Sequence, residues 1–310
     1  MKQATSTVLV TLVVSMFVGL AAVAMGQTAN SAGQAQVVVT VQAKNAGSAP
    51  FQRNDIAVKL NRRSVDILNW SPLKEPNAGM QLVFLFDESA RSDLSLQIPI
   101  LRKFIQALPP SAAVGIAYMN NGRAVMAGPM TTDHTVAANY LRITNQIPGI
   151  TGSPYFCLSN LAKHWPSKEK TSRRVVFMVT NGQDPYYESL DMQDPYVAAA
   201  IRDSQKAGLL VYSLYFQNRG FGDQSNLRIT IGQSYLLRVA DATGGEFYSL
   251  ALVSPVSFDP FLKQFRQALD HQYLLTLPIG KSGWQQISVK SKIPNVKLRA
   301  PTAIYVDGKG

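Results

Sequence analysis

Residues 80–89 read Met-Gln-Leu-Val-Phe-Leu-Phe-Asp-Glu-Ser, and this stretch decides the fold. The run Leu82-Val83-Phe84-Leu85-Phe86 is continuously apolar, which is typical of a parallel strand that is covered on both faces. Polar residues follow it at once, where the loop at the carboxyl end of such a strand would lie. The stretch therefore predicts an interior strand of a parallel sheet with polar side chains at its carboxyl end.

The sequence on either side of this strand alternates between strand and helix patterns. Further strands are predicted at 114–118, 124–126, 175–179 and 209–216. Helices are predicted at 94–108, 135–147, 155–164, 196–207, 234–242 and 259–271, and Pro99 is expected early in the first of them or at a kink. Strands that alternate with helices indicate an α/β fold, a doubly wound and mostly parallel sheet.

Short strands flank this unit on both sides. The amino-terminal side predicts strands at 37–43, 56–60 and 64–70, and the tail predicts them at 273–279, 286–290, 296–299 and 302–306. The amino-terminal set is too small to be stable alone. We expect the two to pair as one small flanking β module from both termini. The predicted units are then residues 27–79, an α/β domain at 80–271, and residues 272–310.

The first 26 residues have the pattern of a secretory signal peptide. Lys2 is the only charge before Gln27, an apolar run follows from Val8 to Ala24, and small residues stand at Ala24 and Gly26. We expect cleavage after Gly26 and a secreted or periplasmic chain. An uncleaved amino-terminal membrane anchor is the alternative, because the apolar run approaches spanning length.

Composition narrows the class of protein. The 310 residues are 46% hydrophobic and 16% charged, which excludes a disordered chain or a coiled coil. One Cys and three His exclude a zinc ribbon or a disulfide scaffold.

The net charge of +11 is distributed unevenly along the sequence. Residues 27–80 carry six basic and three acidic residues, and residues 271–310 carry six basic residues and one acidic residue. Export argues against nucleic acid, so this basic flank favours an anionic envelope polymer or lipid surface. The alternative is solubilising charge on exposed strands.

Two segments carry a resemblance to a known family. Phe84-Leu85-Phe86-Asp87-Glu88-Ser89 resembles the first strand and metal loop of a von Willebrand factor A (VWA) domain, and Val-Val-Phe-Met-Val-Thr-Asn-Gly at 175–182 resembles its fourth strand and the loop after it. With its flanking strands, the chain is similar over residues 36–306 to the VWFA-related proteins of acidobacterial type. The resemblance implies an adhesion or scaffolding module that is seldom catalytic.

The resemblance also implies a metal site, which in this chain is degenerate. The family's adhesion site (MIDAS) reads Asp-x-Ser-x-Ser with a Thr and an Asp from two other loops. Its counterparts here would be Asp87, Ser89, Ser153 and Asn181, and Arg91 replaces the third loop position. Mg²⁺ or Mn²⁺ would need several oxygen ligands. Arg91 could instead pair with Asp87 or Glu88, and we expect this metal-free arrangement.

Two loops offer residues for contact with a partner. The segment 184–196 has four acids and three tyrosines directly after a predicted strand, and the segment 217–231 is a second long loop. Tyrosine and arginine are favoured at interfaces. The predicted partner-binding residues are Glu88, Arg91, Tyr186, Tyr187, Arg219 and Phe221. The alternative for the first loop is a solvated segment whose Asp residues cap turns. For the second it is a mobile insertion that Phe221 anchors.

The sequence argues against an enzyme. Cys157 and His164 could share a helix face, but no orienting third group or oxyanion hole accompanies them. Gly-x-Ser-x-Gly and phosphate-binding glycine loops are absent from the sequence. We therefore expect an exported binding or adhesion module for a protein or envelope polymer. The alternatives are a structural envelope scaffold with a vestigial domain and, less favoured, a hydrolase with an unrecognised site.

Overall fold

The computed structural model describes residues 33–43, 51–74, 79–145, 147, 149–169, 173–187, 189, 191–217 and 225–307. The predicted signal segment, Glu188, Arg219 and Phe221 lie outside these residues. The strands are β1 Gly33–Ala43, β2 Ile56–Leu60, β3 Arg63–Ser64, β4 Asn69–Pro72, β5 Met80–Asp87, β6 Ala112–Asn120, β7 Arg123–Met126, β8 Arg173–Thr180, β9 Leu209–Tyr215, β10 Phe247–Tyr248, β11 Gln272–Ile279, β12 Gly283–Ser291, β13 Val296–Arg299 and β14 Ala303–Val306. The helices are α1 Ile98–Gln106, α2 His134–Asn139, α3 Pro154–Lys163, α4 Pro195–Lys206, α5 Asn226–Thr243 and α6 Asp259–Asp270.

The central sheet has six strands in the order β10-β9-β8-β5-β6-β7. All neighbours are parallel except β6 and β7, which form an antiparallel edge. Every residue of β5 is buried, as its apolar run predicts. Leu82, Phe84 and Phe86 face α1, α2 and α6, whereas Val83 and Leu85 face α3, α4 and α5. The predicted fold class is confirmed: this is a doubly wound, mostly parallel α/β sheet.

The two termini meet in a β module beside this sheet. Strand β1 lies between β13 and β11, and β4 completes that sheet. A second sheet has the order β14-β12-β2-β3. The two share one apolar core, to which Val37 and Val39 of β1, Val58 of β2 and Leu277 of β11 contribute. The flanking module predicted from both termini is thus present, and it consists of two four-stranded sheets. Whether the module and the α/β domain are separate folding units stays a prediction.

Buried polar contacts join the module to the α/β domain. Arg173 donates to the Leu269 carbonyl at 2.9 Å and to Gln272 Oε1 at 2.6 Å. Gln272 in turn donates to the Tyr212 hydroxyl at 3.0 Å, which lies 3.4 Å from Thr40 Oγ1. Because buried polar groups need partners, this chain of contacts ties β1 and β11 to β8 and β9.

Two predicted helices have different bounds. The helix expected at 135–147 ends at Asn139, because the backbone amides beyond it bind elsewhere: Arg142 N donates to the Tyr118 hydroxyl at 2.7 Å and Asn145 N to Glu88 Oε2 at 2.9 Å. The helix expected at 234–242 begins eight residues earlier, at Asn226. Its β-branched first turns have low helix propensity, yet Ile229 is buried against the sheet, so packing decides. The predicted loop 217–231 is accordingly shorter.

The predicted place of Pro99 is confirmed, and two glycines adopt left-handed conformations at the ends of elements. Pro99 lies at the start of α1, after a 3-10 turn at Ser92–Gln97, where a missing amide does no harm. Gly244 ends α5 in the left-handed conformation, with φ of 83°. Gly182, with φ of 71°, lets the loop after β8 approach α5 closely, since a Cβ there would lie 2.4 Å from the Gly232 carbonyl oxygen. This close approach fixes the loop that carries the candidate site.

Candidate functional site

The candidate site lies at the carboxyl end of the central sheet. Strand β5 ends at Asp87 and β8 ends at Thr180, and these strands are neighbours in parallel register. The described residues of the segments 88–97, 141–153 and 181–194 cover this end, and we call them the carboxyl-end loops. Binding crevices of open α/β sheets lie at this position.

The Asp87 carboxylate is buried and accepts four hydrogen bonds from within the chain. Oδ1 accepts from Ser89 N at 2.9 Å, from Ser89 Oγ at 2.6 Å and from the Thr151 hydroxyl. Oδ2 accepts from Thr180 Oγ1 at 2.7 Å. A carboxylate with this many donors is satisfied without any added ion. Asp87 and Ser89 therefore lie together as predicted, and two threonines complete the cluster.

The Glu88 carboxylate is held by an arginine that sequence reasoning did not single out. Glu88 is 1% exposed and accepts from Asn145 N and from both terminal nitrogens of Arg142. The Arg142 guanidinium also stacks on the Tyr118 ring at 3.9 Å. The hydrogen bond with Glu88 raises the pKa of Arg142, so its charge is secure. Contact between Glu88 and a partner, as predicted, would require this pair to open.

Arg91 does not pair with Asp87 or Glu88, so that expectation is wrong. Its guanidinium donates to Gln217 Oε1 at 3.0 Å and lies 3.6 Å from Asp93. The turn after Asp87 places residue 91 beside Gln217, whose carbonyl oxygen accepts a hydrogen bond from Arg91 N. The Arg91 side chain is half exposed to solvent there. Arg91 is thus accessible to a partner, while Arg142 supplies the internal cation.

Ser153 and Asn181 lie near the cluster but have other partners. Ser153 Oγ caps α3 by accepting from Tyr155 N, and it donates to Asp184 Oδ2 at 2.6 Å. Asn181 Oδ1 accepts from Gln183 N at 3.1 Å. Burial raises the pKa of Asp184, although hydrogen bonds from Ser153 and Tyr186 oppose this effect. Thr151, two residues before Ser153, is the residue of this loop that reaches Asp87.

Exposed aromatic and aliphatic side chains lie on the same loops as these buried acids. Tyr186 is 57% exposed and stacks on Phe156 at 5.4 Å, and Phe156 also meets the Tyr196 ring at 4.7 Å. Ile143 and Ile147 are 60% and 54% exposed on the loop after α2. Tyr187 is half-buried and donates to Asp191 Oδ1 at 3.0 Å. The carboxyl-end loops therefore present an aromatic and aliphatic surface.

A metal fits this donor set poorly. Among the described residues no group of three or more His, Cys, Asp or Glu side chains could hold an ion. Asp87 is the one carboxylate of its cluster, and its oxygens already accept the hydroxyl protons of Ser89, Thr151 and Thr180. Mg²⁺ requires near-octahedral oxygen coordination and usually carboxylate charge. Asn181 and Arg91 both lower the negative charge that the family's loops would supply.

The site also lacks the groups of nucleophilic catalysis within the part of the chain that the structure describes. His134 bonds the Ala112 carbonyl, His164 the Asn160 carbonyl and His271 the Gln267 carbonyl, and among the described residues no hydrogen bond joins a histidine ring to a hydroxyl or thiol. Cys157 is fully buried, and desolvation raises the pKa of its thiol. A protonated, enclosed thiol is a poor nucleophile.

Comparison with known proteins gives fold likeness alone. No protein-family model matches the chain, and no curated protein matches it. Among solved structures, an aerotolerance-related membrane protein from Bacteroides fragilis is 14% identical, with a TM-score of 0.47 over 62% of this chain and 99% of its own. BatB from Bacteroides thetaiotaomicron is 13% identical, with a TM-score of 0.44 over 62% and 97%. The human COPII-coat protein Sec24c is 10% identical, with a TM-score of 0.43 over 74% and 44%. Likeness of this degree says nothing about what the chain binds.

Proposed function

We propose that this chain is a non-catalytic binding module of the VWA type, which binds a protein or an envelope polymer through its carboxyl-end loops. One observation carries the proposal: Tyr186, Ile143 and Ile147 are exposed on the carboxyl-end loops, while Asp87 and Glu88 at the same end are bonded inside the chain. The acids shape and fix the loops, and the apolar side chains remain available for contact.

The energetics support a binding role for this surface. Burying exposed apolar area stabilises a complex by about 25 cal/mol per Å². Tyr186 is an apt anchor, because it combines large area with a polar tip and already rests on Phe156. A rigid loop loses little entropy on binding, and the Glu88–Arg142 pair supplies that rigidity.

Binding in this proposal does not depend on Mg²⁺ or Mn²⁺. The carboxylate of Asp87 is stabilised by hydrogen bonds from within the chain, and that of Glu88 is paired with Arg142. Arg91, exposed at the same end, is a contact residue and not a substitute for the ion. Arg219 and Phe221 belong to the proposed contact set from the sequence alone.

The proposed location is outside the cytoplasm, secreted or periplasmic. The support is the signal-like segment at 1–26. Among the described residues, no helix is both long and apolar enough to span a membrane. The basic β module would make peripheral contact with anionic envelope components.

Affinity capture from the native envelope tests the proposal. Tyr186→Ser with Ile143→Ser should abolish recovery of the partner that wild-type protein captures. Leu237→Ser, an exposed leucine on α5, is the matched control and should retain it. EDTA should leave capture unchanged. Equal recovery by the Tyr186/Ile143 variant would refute binding at this surface, and loss with EDTA would refute the metal-free arrangement.

A structural scaffold is the second candidate, and one observation favours it. Trp284 of β12 is 43% exposed and packs edge-on against Tyr305 of β14, on the outside of the basic module. Deletion of 272–310 cannot test assembly, because β11 lies inside the sheet between β1 and β4 and its loss would unfold the module. Light scattering of Trp284→Ser is the suitable experiment: concentration-dependent oligomers of the wild type that the variant lacks would favour the scaffold.

A further inference from the structure

A cavity lies at the amino end of the central sheet, opposite the carboxyl-end loops. Its volume is about 180 Å³. Arg174 and Leu209, at the starts of β8 and β9, line one side, and Gln205 and Lys206, at the end of α4, line a second. Tyr305 of the β module closes the third side. The site therefore exists only where the module and the α/β domain meet.

Two cations of this cavity have no anionic partner in the described part of the chain. The Arg174 guanidinium faces the Trp165 ring at 5.6 Å, and its buried Nε has no hydrogen-bond acceptor there. Lys206 Nζ lies 4.8 Å from the centre of the Tyr305 ring. Across the described residues, neither cation is within 4 Å of a carboxylate oxygen. Each cation lies beside an aromatic ring, and Arg174 Nε is a buried donor without an acceptor among the described residues.

The lysine alone has an ordinary structural explanation. Lys206 is in the last turn of α4, where a cation offsets the negative end of the helix dipole. Arg174 has no such explanation, because it lies on a strand and burial lowers its pKa. A desolvated donor without an acceptor is costly, and a bound anion would supply the missing acceptor.

The remaining groups of the cavity set the size and charge of the ligand. Asp307 is an exposed acid at its edge, so two cations and one anion leave a single positive charge. Leu209 and Ile304 provide apolar wall. The volume is below the range of drug-sized pockets, about 300–1,000 Å³. A compact anion with a small apolar body matches these dimensions.

We propose that this cavity binds a small organic anion through a carboxylate or phosphate group, with Arg174 and Lys206 as its donors. Arginine suits such oxyanions because its planar fork can donate two parallel hydrogen bonds. The site is independent of the proposed partner surface, since it lies at the other end of the sheet. Its ligand would stabilise the contact between the module and the α/β domain.

The test is a titration of the full ¹⁵N-labelled chain with sodium phosphate and with sodium butyrate, at constant ionic strength. Saturable shifts are expected for the Arg174 Nε–H signal and for the backbone of Gln205 and Leu209. The two salts separate phosphate from carboxylate recognition. Absence of saturable shifts with both salts would overturn the proposal.

Variants guard against non-specific charge effects. Arg174→Gln should abolish binding, and Lys206→Glu, at an exposed position, should weaken it at least about fivefold. Arg202→Glu, an exposed charge reversal on the same helix outside the cavity, should retain wild-type affinity. Equal weakening by Arg202→Glu and Lys206→Glu would show bulk electrostatics and refute the site. Partner capture through the carboxyl-end loops should be unchanged in Lys206→Glu, which separates the two proposals.

Discussion

The two ends of the central sheet treat their charges in opposite ways. At the carboxyl end, Asp87 and Glu88 are buried, and hydroxyls, amides and one arginine within the chain satisfy both. At the amino end, Arg174 and Lys206 rest on aromatic rings and find no carboxylate among the described residues. The acids of the loop that resembles a metal site are thus bonded inside the chain, whereas the two cations at the amino end have no carboxylate partner among the described residues.

This difference teaches that a polar side chain is a candidate for ligand binding when it lacks hydrogen-bonding or charged partners within the chain. The residue type alone does not show this. A buried carboxylate with several donors stabilises the loop around it and has little left to offer a ligand. A partly desolvated cation without an acceptor still has binding capacity. The four predictions that follow test this contrast, mainly at the carboxyl end.

The largest expected effect is that of Asp87→Ala. The substitution leaves the hydroxyls of Ser89, Thr151 and Thr180 without their acceptor, so the free energy of unfolding should fall by about 3 kcal/mol. Urea denaturation measures this. Ser89→Ala, which removes one donor, should cost only about 1 kcal/mol. If Asp87→Ala were as stable as the wild type, the carboxylate would be a strained ligand awaiting an ion.

Arg142→Met should have the second largest effect and lower the free energy of unfolding by about 2 kcal/mol. The variant leaves the buried Glu88 carboxylate with no cation, although the half-exposed position of Arg142 admits some water to it. Arg91→Met is the matched control, and its loss should stay within about 0.5 kcal/mol, since the pair with Asp93 is exposed. Equal losses in denaturation experiments would mean that the two arginines share one structural role.

Asp184→Asn should change the free energy of unfolding by less than either variant above, and the change should depend on pH. Burial raises the pKa of Asp184, so its contribution to folding is greatest below its unfolded pKa and is lost as pH rises through the folded value. The neutral amide of the variant does not titrate, so the variant does not lose this stability as pH rises. The stability of the variant relative to the wild type should therefore rise from pH 4 to pH 7 in paired denaturation curves. A flat difference would show that Ser153 and Tyr186 compensate for burial completely.

The smallest effect should be that of Mg²⁺ on the wild type. At about 1 mM ion, the gain in unfolding free energy should stay below about 0.2 kcal/mol, since Asp87 already has its hydrogen-bond donors. For comparison, a ligand present at about ten times its Kd would add about 1.4 kcal/mol. Asn181→Asp adds a carboxylate directly after Thr180, whose hydroxyl bonds Asp87, and should increase the gain measurably. Thermal scans with and without EDTA give the comparison. A large shift for the wild type would contradict the self-satisfied site.

The fold was predictable because its signals are local. The apolar run 82–86 and its counterparts in β8 and β9 need burial on both faces, and only a covered parallel sheet provides it. The start of α5 was not predictable in this way, since Ile229 and Thr230 disfavour a helix, and it is the burial of Ile229 against the sheet that outweighs their low propensity.

The candidate site was predictable only in part. Asp87 and Ser89 are adjacent in sequence, so their contact follows from a short turn. The pairing of Glu88 with Arg142 depends on where a loop 54 residues away returns to the sheet. Arg91 was the wrong choice because closeness in sequence says nothing about direction. Thr151 had one available signal, its place two residues before Ser153 in the same glycine-containing loop.

The position of β1 has a consequence for how the chain matures. Val39 of β1 pairs with Tyr273 of β11, and Val41 with Leu298 of β13, so the first strand needs the last ones. During synthesis, the stretch Val37-Val38-Val39 must wait, with its hydrogen-bonding edges free, until residues 272–299 have emerged. Such a strand readily pairs with a neighbouring chain. We expect a nascent or truncated chain to depend on a chaperone until its tail arrives, and its yield to depend on that protection.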